Sequence, residues 1–588
     1  MKKIINKPEN VVREMLTGVV LAHPELDVLP QYNVIKRKVL NAEKVSLISG
    51  GGSGHEPAHA GFVGKGMLDA AVCGDVFASP SQIQVYGAIR ATAGEKGVLL
   101  IIKNYSGDMM NFQNAAYLAG EDGIEVEYVK VDDDIAVQDS LYTVGRRGVA
   151  GTVFVHKIAG AAAEQGRSLK EVKAVAERVN ANVKSIGFAL TSCTVPAKGS
   201  PTFELGESEM EYGVGIHGEP GIERGKLQSA DELVNRMVSA LCDELDLSGG
   251  RGQNERVAVM INGFGATPLM ELYLMNAAVA KQLHDCGITV ARTFVGNYMT
   301  SIDMAGASIS LLKLDDELET LLNESCDVPG FNVSGSTEYI SYADPYASEQ
   351  VVDDACYEIE TPSAYAQVGK SFSLQNMIYT VDAISAICIR NEQAFCELDS
   401  HAGDGDFGMS VAKGFRELKR QWARIIENSE QSIGAFLNEC SLVIMEHCGG
   451  ASGPIWGSAF RAASKQVGDK ASMTVSEMAD MLQAAVKGIQ QTGERSFGRG
   501  AVVGDKTLID ALVPCADAWS EAANAGTGFA HAFEAGAKAA VEGAKITEVI
   551  TARMGRAGTV GERSLGHPDA GAHALGVIFT EVASLMKF

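Results

Sequence analysis

The first half of the chain alternates short apolar runs with stretches of helical spacing. Residues 45–49 (Val-Ser-Leu-Ile-Ser) form a strand-like run that ends in Gly50, Gly51 and Gly52, and 98–102 (Val-Leu-Leu-Ile-Ile) form a run apolar throughout, entered from Gly97. A third run covers 257–261. A helical stretch then extends from Pro268 to His284, Gly287 stops it, and 288–295 returns as a strand. Continuous apolar strands separated by helices predict a βαβ sheet covered by helices. The strand ends run into Gly, Asn and Asp, where α/β folds place ligands.

The second half has another period. Thr474-Val-Ser-Glu477 is a capping box, and Val475, Met478, Leu482, Val486 and Ile489 follow at helical spacing. Further helices are predicted at 373–390, 432–447, 507–523, 527–543 and 570–586, with no strand signal of comparable quality. This half reads as an Ala-rich, all-helical domain whose functional-looking sequence lies in its turns. Between Lys313 and Lys370 there is no Lys or Arg, and Pro329, Pro345, Pro362 and a Gly-Ser patch at 334–336 interrupt the pattern. The expected organisation is an α/β domain over 1–330, a linker over 331–370 tethered by Tyr339, Tyr342 and Tyr346, and a helical domain over 371–588.

Composition narrows the function. The 588 residues are 46% hydrophobic and 21% charged, an ordinary globular balance. Fifty Lys and Arg against 74 Asp and Glu give a net charge of -24. That argues against nonspecific binding to nucleic acid or an anionic membrane, both of which need surplus basic charge. The opening Met-Lys-Lys-Ile-Ile-Asn-Lys-Pro lacks the apolar core of a signal peptide, and no apolar run approaches the ~20 residues of a membrane span. Eleven scattered cysteines without a C-x-x-C pair lead us to expect reduced thiols in a cytoplasmic enzyme.

Several strings carry chemistry. Gly50-Gly-Gly-Ser-Gly-His55-Glu-Pro-Ala-His59 follows a strand. Its H-E-x-x-H spacing imitates a zinc protease, but Pro57 leaves His55 outside any continuous helix. We expect a strand-to-helix loop that lets a small ligand approach Ser53, Gly54 and His55. Lys103-Asn-Tyr-Ser-Gly-Asp108 closes the 98–102 strand and puts Asp108 where a general base or a helix N-cap would sit. His217, between glycines in Gly213-Val-Gly-Ile-His-Gly-Glu-Pro-Gly221, lies on an accessible turn. Met299-Thr-Ser-Ile-Asp-Met304 reads as packing.

In the second half, Asp399, Asp404 and Asp406 crowd eight residues among glycines and would repel one another without a cation. Oxygen ligands without cysteine suggest Mg²⁺ or Ca²⁺, in a spacing that is not an EF-hand. Gly449-Gly-Ala-Ser-Gly-Pro-Ile-Trp-Gly457 suits a phosphate cradle. Gly504-Asp-Lys-Thr507 resembles the end of a P-loop, but the full G-x₄-G-K-[ST] pattern is absent. Arg556 and the Gly566-His-Pro-Asp-Ala-Gly571 turn add a last polar loop. A ring of helices would gather these loops at one rim.

Taken together, G-G-G-S-G-H-E-P-A-H-A-G (50–61), K-N-Y-x-G-D (103–108), G-I-H-G-E-P-G (215–221), D-x₄-D-G-D (399–406), G-G-x-S-G (449–453) and G-D-K-T (504–507) resemble the single-chain, ATP-dependent dihydroxyacetone kinases, in that family's order and over nearly the whole chain. The resemblance implies a K-type substrate domain of two α/β subdomains and an L-type nucleotide domain, an antiparallel barrel of helices. It implies that His217 forms a covalent hemiaminal with the ketone carbon, that Asp108 is the base toward the phosphorylated hydroxyl, and that His55 holds and polarises the substrate. Gly52, Ser53, Gly54 and Lys103 would line the triose site. Asp399, Asp404 and Asp406 would hold two Mg²⁺ ions. Phe407, Gly408, Met409, Ser410, Ala451, Ser452, Thr507, Leu508, Arg556, Asp569, Ala570 and Gly571 would surround ATP. Ala451, Leu508 and Ala570 depart from the family pattern without removing a catalytic group.

The implied activity is ATP:glycerone phosphotransfer in a cytoplasmic homodimer. Erythrulose or glyceraldehyde as substrate, or a non-catalytic dihydroxyacetone sensor, are the alternatives.

Overall fold

The computed structural model describes every residue except 1, 138–144, 220, 248–254, 346–357, 430, 555–557 and 559–560. The chain divides into two compact units, 1–346 and 347–588.

The first unit holds two six-stranded sheets. In one, Ser46–Ser53 lies between Ala70–Val76 and Val98–Lys103, with Val126–Val131 beyond, and all these pairs are parallel. Two short antiparallel strands, Val34–Arg37 and Leu26–Leu29, finish the edge. The apolar run at 98–102 has the expected cause. Val98, Leu100 and Ile102 face Val85, Ile89 and Phe112 of the helices Gln82–Thr92 and Ser106–Glu121, while Leu99 and Ile101 join a core containing Val155 and Ile158 of the helix Thr152–Glu164. Each such fully buried side chain contributes about 1.5–3 kcal/mol, and Leu100→Ala would forfeit that and leave a cavity. In the second sheet, Arg256–Gly263 pairs in parallel with Thr289–Gly296 and antiparallel with Gly306–Leu314. Val183–Ala189, Glu209–Tyr212 and Glu223–Lys226 follow, each antiparallel to its neighbour.

One local expectation is corrected. The glycines after residue 49 are not a loop into a helix. The strand continues to Ser53 because the extended backbone of 50–53 is matched on one side by Ala70–Val76, pairing Gly51 with Cys73. The residues after it turn and form only a short 3₁₀ segment, Ala60–Phe62.

The second unit is built from helices. Leu374–Arg390, Phe407–Arg420, Ile433–His447, Ser452–Val467, Val475–Phe497, Ile509–Asn524, Phe529–Ile546 and Ala570–Leu585 each pack on the next, and the last packs back on the first. The predicted capping box starts Val475–Phe497, with the Thr474 N–H donating to Glu477 Oε2 at 2.7 Å and the Glu477 N–H to Thr474 Oγ1 at 3.3 Å. A ring of eight is too wide for side chains to fill, and an apolar cavity of about 170 Å³ lies between Met377, Trp456, Met481, Trp519 and Phe533. A two-residue ladder, Phe372–Ser373 with Ser472–Met473, escaped the sequence pattern.

The span 331–370 has packed ends. Phe331–Val333 pairs with Cys326–Val328, Ile340 donates to the Val290 carbonyl, and Tyr339 Oη accepts from Arg256. Tyr342 approaches His284, while Tyr346 falls outside the described residues. On the other side, buried Asp382 accepts from the N–H and hydroxyl of Thr361, and Val368 donates to the Lys587 carbonyl. A run without cations looked like a linker, but these backbone partners bind its ends to the two units.

Candidate active site

In the first unit, strand ends and turns bring the expected residues together. Lys103 closes Val98–Lys103, and Asp108 stands in the first turn of Ser106–Glu121, where Tyr105 is the N-cap and no side chain caps the helix. The N-cap reading of Asp108 is therefore replaced. Its Oδ1 accepts a short hydrogen bond from Ser79, and its Oδ2 lies 3.5 Å from Lys103 Nζ. Lys103 is wholly buried and its ammonium has no hydrogen-bond partner among the described residues, although it sits 5.1 Å from the Tyr105 ring centre. The bare backbone beside both groups belongs to Gly51, where an added Cβ would lie 3.0 Å from Lys103 Nζ and 3.3 Å from Asp108 Oδ2.

His217 enters from the turn after Glu209–Tyr212 and is half-buried. Its Nε2 is 3.2 Å from His55 Nε2. Tyr105, His55 and Phe77 stand edge-on to its ring at centroid distances of 4.5, 4.7 and 5.2 Å. His55 Nδ1 donates to the Thr300 carbonyl at 2.8 Å, since a carbonyl only accepts. The His55 Nε2 therefore bears a lone pair, and the facing His217 Nε2 carries the hydrogen. Burial, first of all, holds both imidazoles well below their usual 6.5. The His217 ring and Lys103 add to this at His55, and Lys103 and Arg147 add to it at His217. Both rings are neutral at pH 7. Any acid limb set by protonation of His217 therefore lies well below the 6.5 of a free imidazole.

The other expected residues divide. Ser53 Oγ donates to the Gly74 carbonyl, and the Gly54 N–H donates to the Glu56 carboxylate, so both groups hold the strand end in shape. Gly52 lies against the backbone of Phe77 and Ala78. His59 turns away from His55 and lies 3.0 Å from His156 Nε2, so the two histidines of the H-E-x-x-H string face different partners. The 299–304 segment does more than pack. Its Thr300 carbonyl fixes His55, and its Ile302 N–H holds the Gly54 carbonyl. Ser79, Phe77, Gly51 and Arg147 were missed. Gly51 and Tyr105 lie inside the quoted motifs, which could have flagged them.

In the second unit, Asp399 ends Glu392–Asp399 and Asp406 is the N-cap of Phe407–Arg420. Carboxylate oxygens of Asp399, Asp404 and Asp406 all lie within 4.8 Å of one another. This oxygen-only donor set fits a hard divalent cation. The adjoining pocket, about 210 Å³, is lined by Phe407, Ser410, Ala451, Ser452, Thr507, Leu508, Asp569, Ala570 and Gly571. It collects the N-terminal ends of Phe407–Arg420, Ser452–Val467, Ile509–Asn524 and Ala570–Leu585, alternate helices of the ring, whose partial positive charge favours an anion. Gly408 and Met409 do not line it. An added Cβ on Gly408 would meet the Glu392 carbonyl at 2.0 Å, so this glycine serves helix packing, and Met409 is 55% exposed. Arg556 lies outside the described residues. Lys506 is buried and donates to the carbonyls of Thr547, Ser564 and His567, so it ties loops together. Burial pushes the Asp569 carboxyl up to about 7, with Asp510 and Asp399 adding to the effect.

A Dak1 domain matches residues 17–330 and a DAK2 domain matches 401–584. The chain belongs to the dihydroxyacetone kinase family. Over 318 residues it is 54% identical to the PTS-dependent dihydroxyacetone kinase 1, dihydroxyacetone-binding subunit DhaK, of Listeria innocua, covering 54% of this chain and 95% of that protein. It is 35% identical to the L-erythrulose 1-kinase of Mycolicibacterium smegmatis, covering 97% of each. The crystal structure of the dihydroxyacetone kinase from C. freundii in complex with AMP-PNP and Mg²⁺ superimposes with a TM-score of 0.59 at 32% identity over 99% of both chains. The α/β unit followed by a mostly helical unit is thus the architecture of this kinase family. The DAK2 match begins beyond Asp399, which lines the pocket here, and beyond the first helix of the ring. No described helix is long and apolar enough to cross a membrane.

Proposed function

We propose that this member of the dihydroxyacetone kinase family transfers the γ-phosphoryl group of ATP to dihydroxyacetone. The observation that carries this reading is the neutral His217–His55 pair beside Lys103 and Asp108. A nucleophilic imidazole adds to a ketone but not to an alcohol, which selects a carbonyl triose over glycerol. His55 Nε2 takes the proton of His217 Nε2, and the electron pair of the broken N–H bond forms the bond to the carbonyl carbon. The C=O π bond becomes the lone pair of an alkoxide, and His55 returns the proton to that oxygen, giving a neutral hemiaminal and two neutral rings. Asp108 takes the proton of the terminal hydroxyl as that oxygen accepts the phosphoryl group. Ser79 fixes one carboxylate oxygen and leaves the other toward Lys103.

In the second unit, Asp399, Asp404 and Asp406 would hold Mg²⁺, two ions by resemblance, and the four helix ends would receive the phosphates. When bound, the metal neutralises phosphate charge, the main requirement of phosphoryl transfer. Lys506, spent on three carbonyls, holds the rim and does not grip phosphate.

The likeness to an L-erythrulose 1-kinase favours a second reading, a four-carbon ketose as substrate. A non-catalytic sensor is disfavoured by the attached acidic pocket. The test is ATP turnover with dihydroxyacetone, erythrulose, glyceraldehyde and glycerol. Dihydroxyacetone should give the highest kcat/KM and glycerol none. A preference for erythrulose would move the assignment, and no turnover with any carbonyl compound would sink it. A homodimer in the cytoplasm accompanies this reading, and a monomeric mass by light scattering would count against the dimer.

A further inference from the structure

We propose that Arg147 is a positioning residue for the nucleophile: it fixes Glu219, and Glu219 holds the turn that presents His217. The inference rests on the ketose-capture reading of His217. Arg147 is 1% exposed. Its Nε donates to Asp134 Oδ2 at 2.7 Å, its Nη1 to Glu219 Oε1 at 3.2 Å and its Nη2 to the Gly213 carbonyl at 2.9 Å. The second oxygen of Glu219 accepts the His217 N–H at 2.8 Å. One guanidinium therefore ties the turn at residue 213 directly and at residue 217 through a carboxylate. The crossing beneath the turn needs Gly215, because an added Cβ there would lie 1.7 Å from Glu219 Oε1 and 2.7 Å from Arg147 Nη1.

A buried charge cluster is a costly way merely to fill space, since apolar side chains of the same volume hold a core as well or better. What it supplies here is direction. The carboxylate has one oxygen drawn to Arg147, so the other keeps one bearing on the His217 backbone. It also supplies charge. Among the described residues, His55 and Tyr105 stand against the His217 ring, Lys103 and Arg147 act on it through their charge, and Glu219 holds its backbone N–H. Of these, Lys103 and Arg147 oppose protonation of the ring. Without Arg147 one of those two cations is gone, and protonation would become easier.

Two readouts separate positioning from simple structural support. The first is the affinity for dihydroxyacetone labelled with ¹³C at the carbonyl, followed by the one-bond coupling it acquires to ¹⁵N-labelled histidine. The second is the pH dependence of that coupling. Unmutated protein should lose the coupling only well below pH 6.5. Arg147→Met should weaken capture roughly tenfold to a hundredfold at pH 8 and move the acid limb to higher pH. Arg147→Lys, which keeps the charge but not the three-way geometry, should restore the unmutated limb without full affinity. Glu219→Gln should weaken capture without raising the acid limb, because a negative charge is lost. Arg147→Met with unmutated affinity and an unmoved acid limb would overturn the proposal. If that variant does not fold by circular dichroism, Glu219→Gln with unmutated affinity would overturn it instead. No coupling in the unmutated protein with any ketose would remove the capture reading, and this inference with it.

Discussion

The histidine site of the first unit and the acidic pocket of the second manage charge in opposite ways. Around His217 the ionisable groups are buried, the imidazoles are neutral, and hydrogen bonds to Thr300, Glu219 and Ser79 set the geometry without any ligand. In the pocket, three carboxylates crowd within 4.8 Å, Asp404 is exposed, and the partial positive charge of four helix ends converges beside them. The first arrangement fixes its groups by bonds to one another. The second gathers charge of both signs around an open pocket. On the proposed reading, a site that chooses among small polyols gains from rigidity, whereas one that takes a polyanion with its counter-ion gains from charge that the pair meets.

The largest expected effect breaks the pocket alone. Asp404→Asn or Asp406→Asn should cost about 4 kcal/mol of transition-state stabilisation, roughly a thousandfold in turnover, while ¹³C-ketose capture at His217 stays intact. Near-normal turnover with Mg²⁺ would remove the metal assignment. Loss of ketose capture as well would show that the two sites are not separable.

His217→Ala should break the other side. We expect a loss of kcat/KM for dihydroxyacetone on the order of a hundredfold, about 2.7 kcal/mol, with nucleotide affinity unchanged by calorimetry. Discrimination against glycerol should shrink too, because only hydrogen bonds would remain to choose between the two compounds. Discrimination kept at its full value would mean that Lys103 and Asp108, not the nucleophile, select the ketone.

How far these sites could be read from sequence follows the same contrast. The acidic pocket was legible because its three carboxylates fall within 399–406 and its remaining walls are Gly-rich turns before helices, each a local pattern. The ring was legible from helical spacing and one capping box. The histidine site was legible only where a motif held its residues, as in Lys103 and Asp108. Its cage draws on 54–56, 77–79, 147, 213–219 and 300, and nothing local in Thr300 or Arg147 marks a partner some 70 to 245 positions away. Gly408 shows the converse failure, a motif residue whose reason is the carbonyl of Glu392 on a neighbouring helix.

Acid sharpens the comparison through stability. Burial, first of all, holds His55, His59 and His217 well below 6.5 and brings His156 down to about 3. Below pH 6.5 the unfolded chain takes up protons that these folded side chains refuse, so stability falls as pH falls. The loss should be roughly 0.8 kcal/mol per histidine at pH 6, and roughly 3.4 kcal/mol for the four. Calorimetric melting should show the transition of the first unit sliding down between pH 7 and 6 while that of the second moves less. Equal slopes for both transitions would contradict the burial argument.

Two of the buried lysines, Lys103 and Lys506, give the finest test, because the surroundings of their ammonium groups differ. Lys103 is 0% exposed and has no hydrogen-bond partner among the described residues, with Asp108 at 3.5 Å and the Tyr105 ring centre at 5.1 Å. Lys506 is 2% exposed and gives a hydrogen to each of three carbonyls. An unpartnered buried charge is kept at a cost to the fold, so its reason lies in the ligand. Lys103→Met should leave the melting temperature of the first unit nearly unchanged, since Asp108 keeps its bond from Ser79, yet abolish ketose capture. Lys506→Met should do the reverse. It strands three carbonyls and costs about 2 kcal/mol of stability in the second unit, while nucleotide affinity falls only as far as the loosened 547–567 loops allow. The paired measurement is one melting curve and one ligand titration for each variant. If Lys103→Met lowered stability as much as Lys506→Met, the ammonium beside Gly51 would be a structural group, and its claim on the substrate would fail.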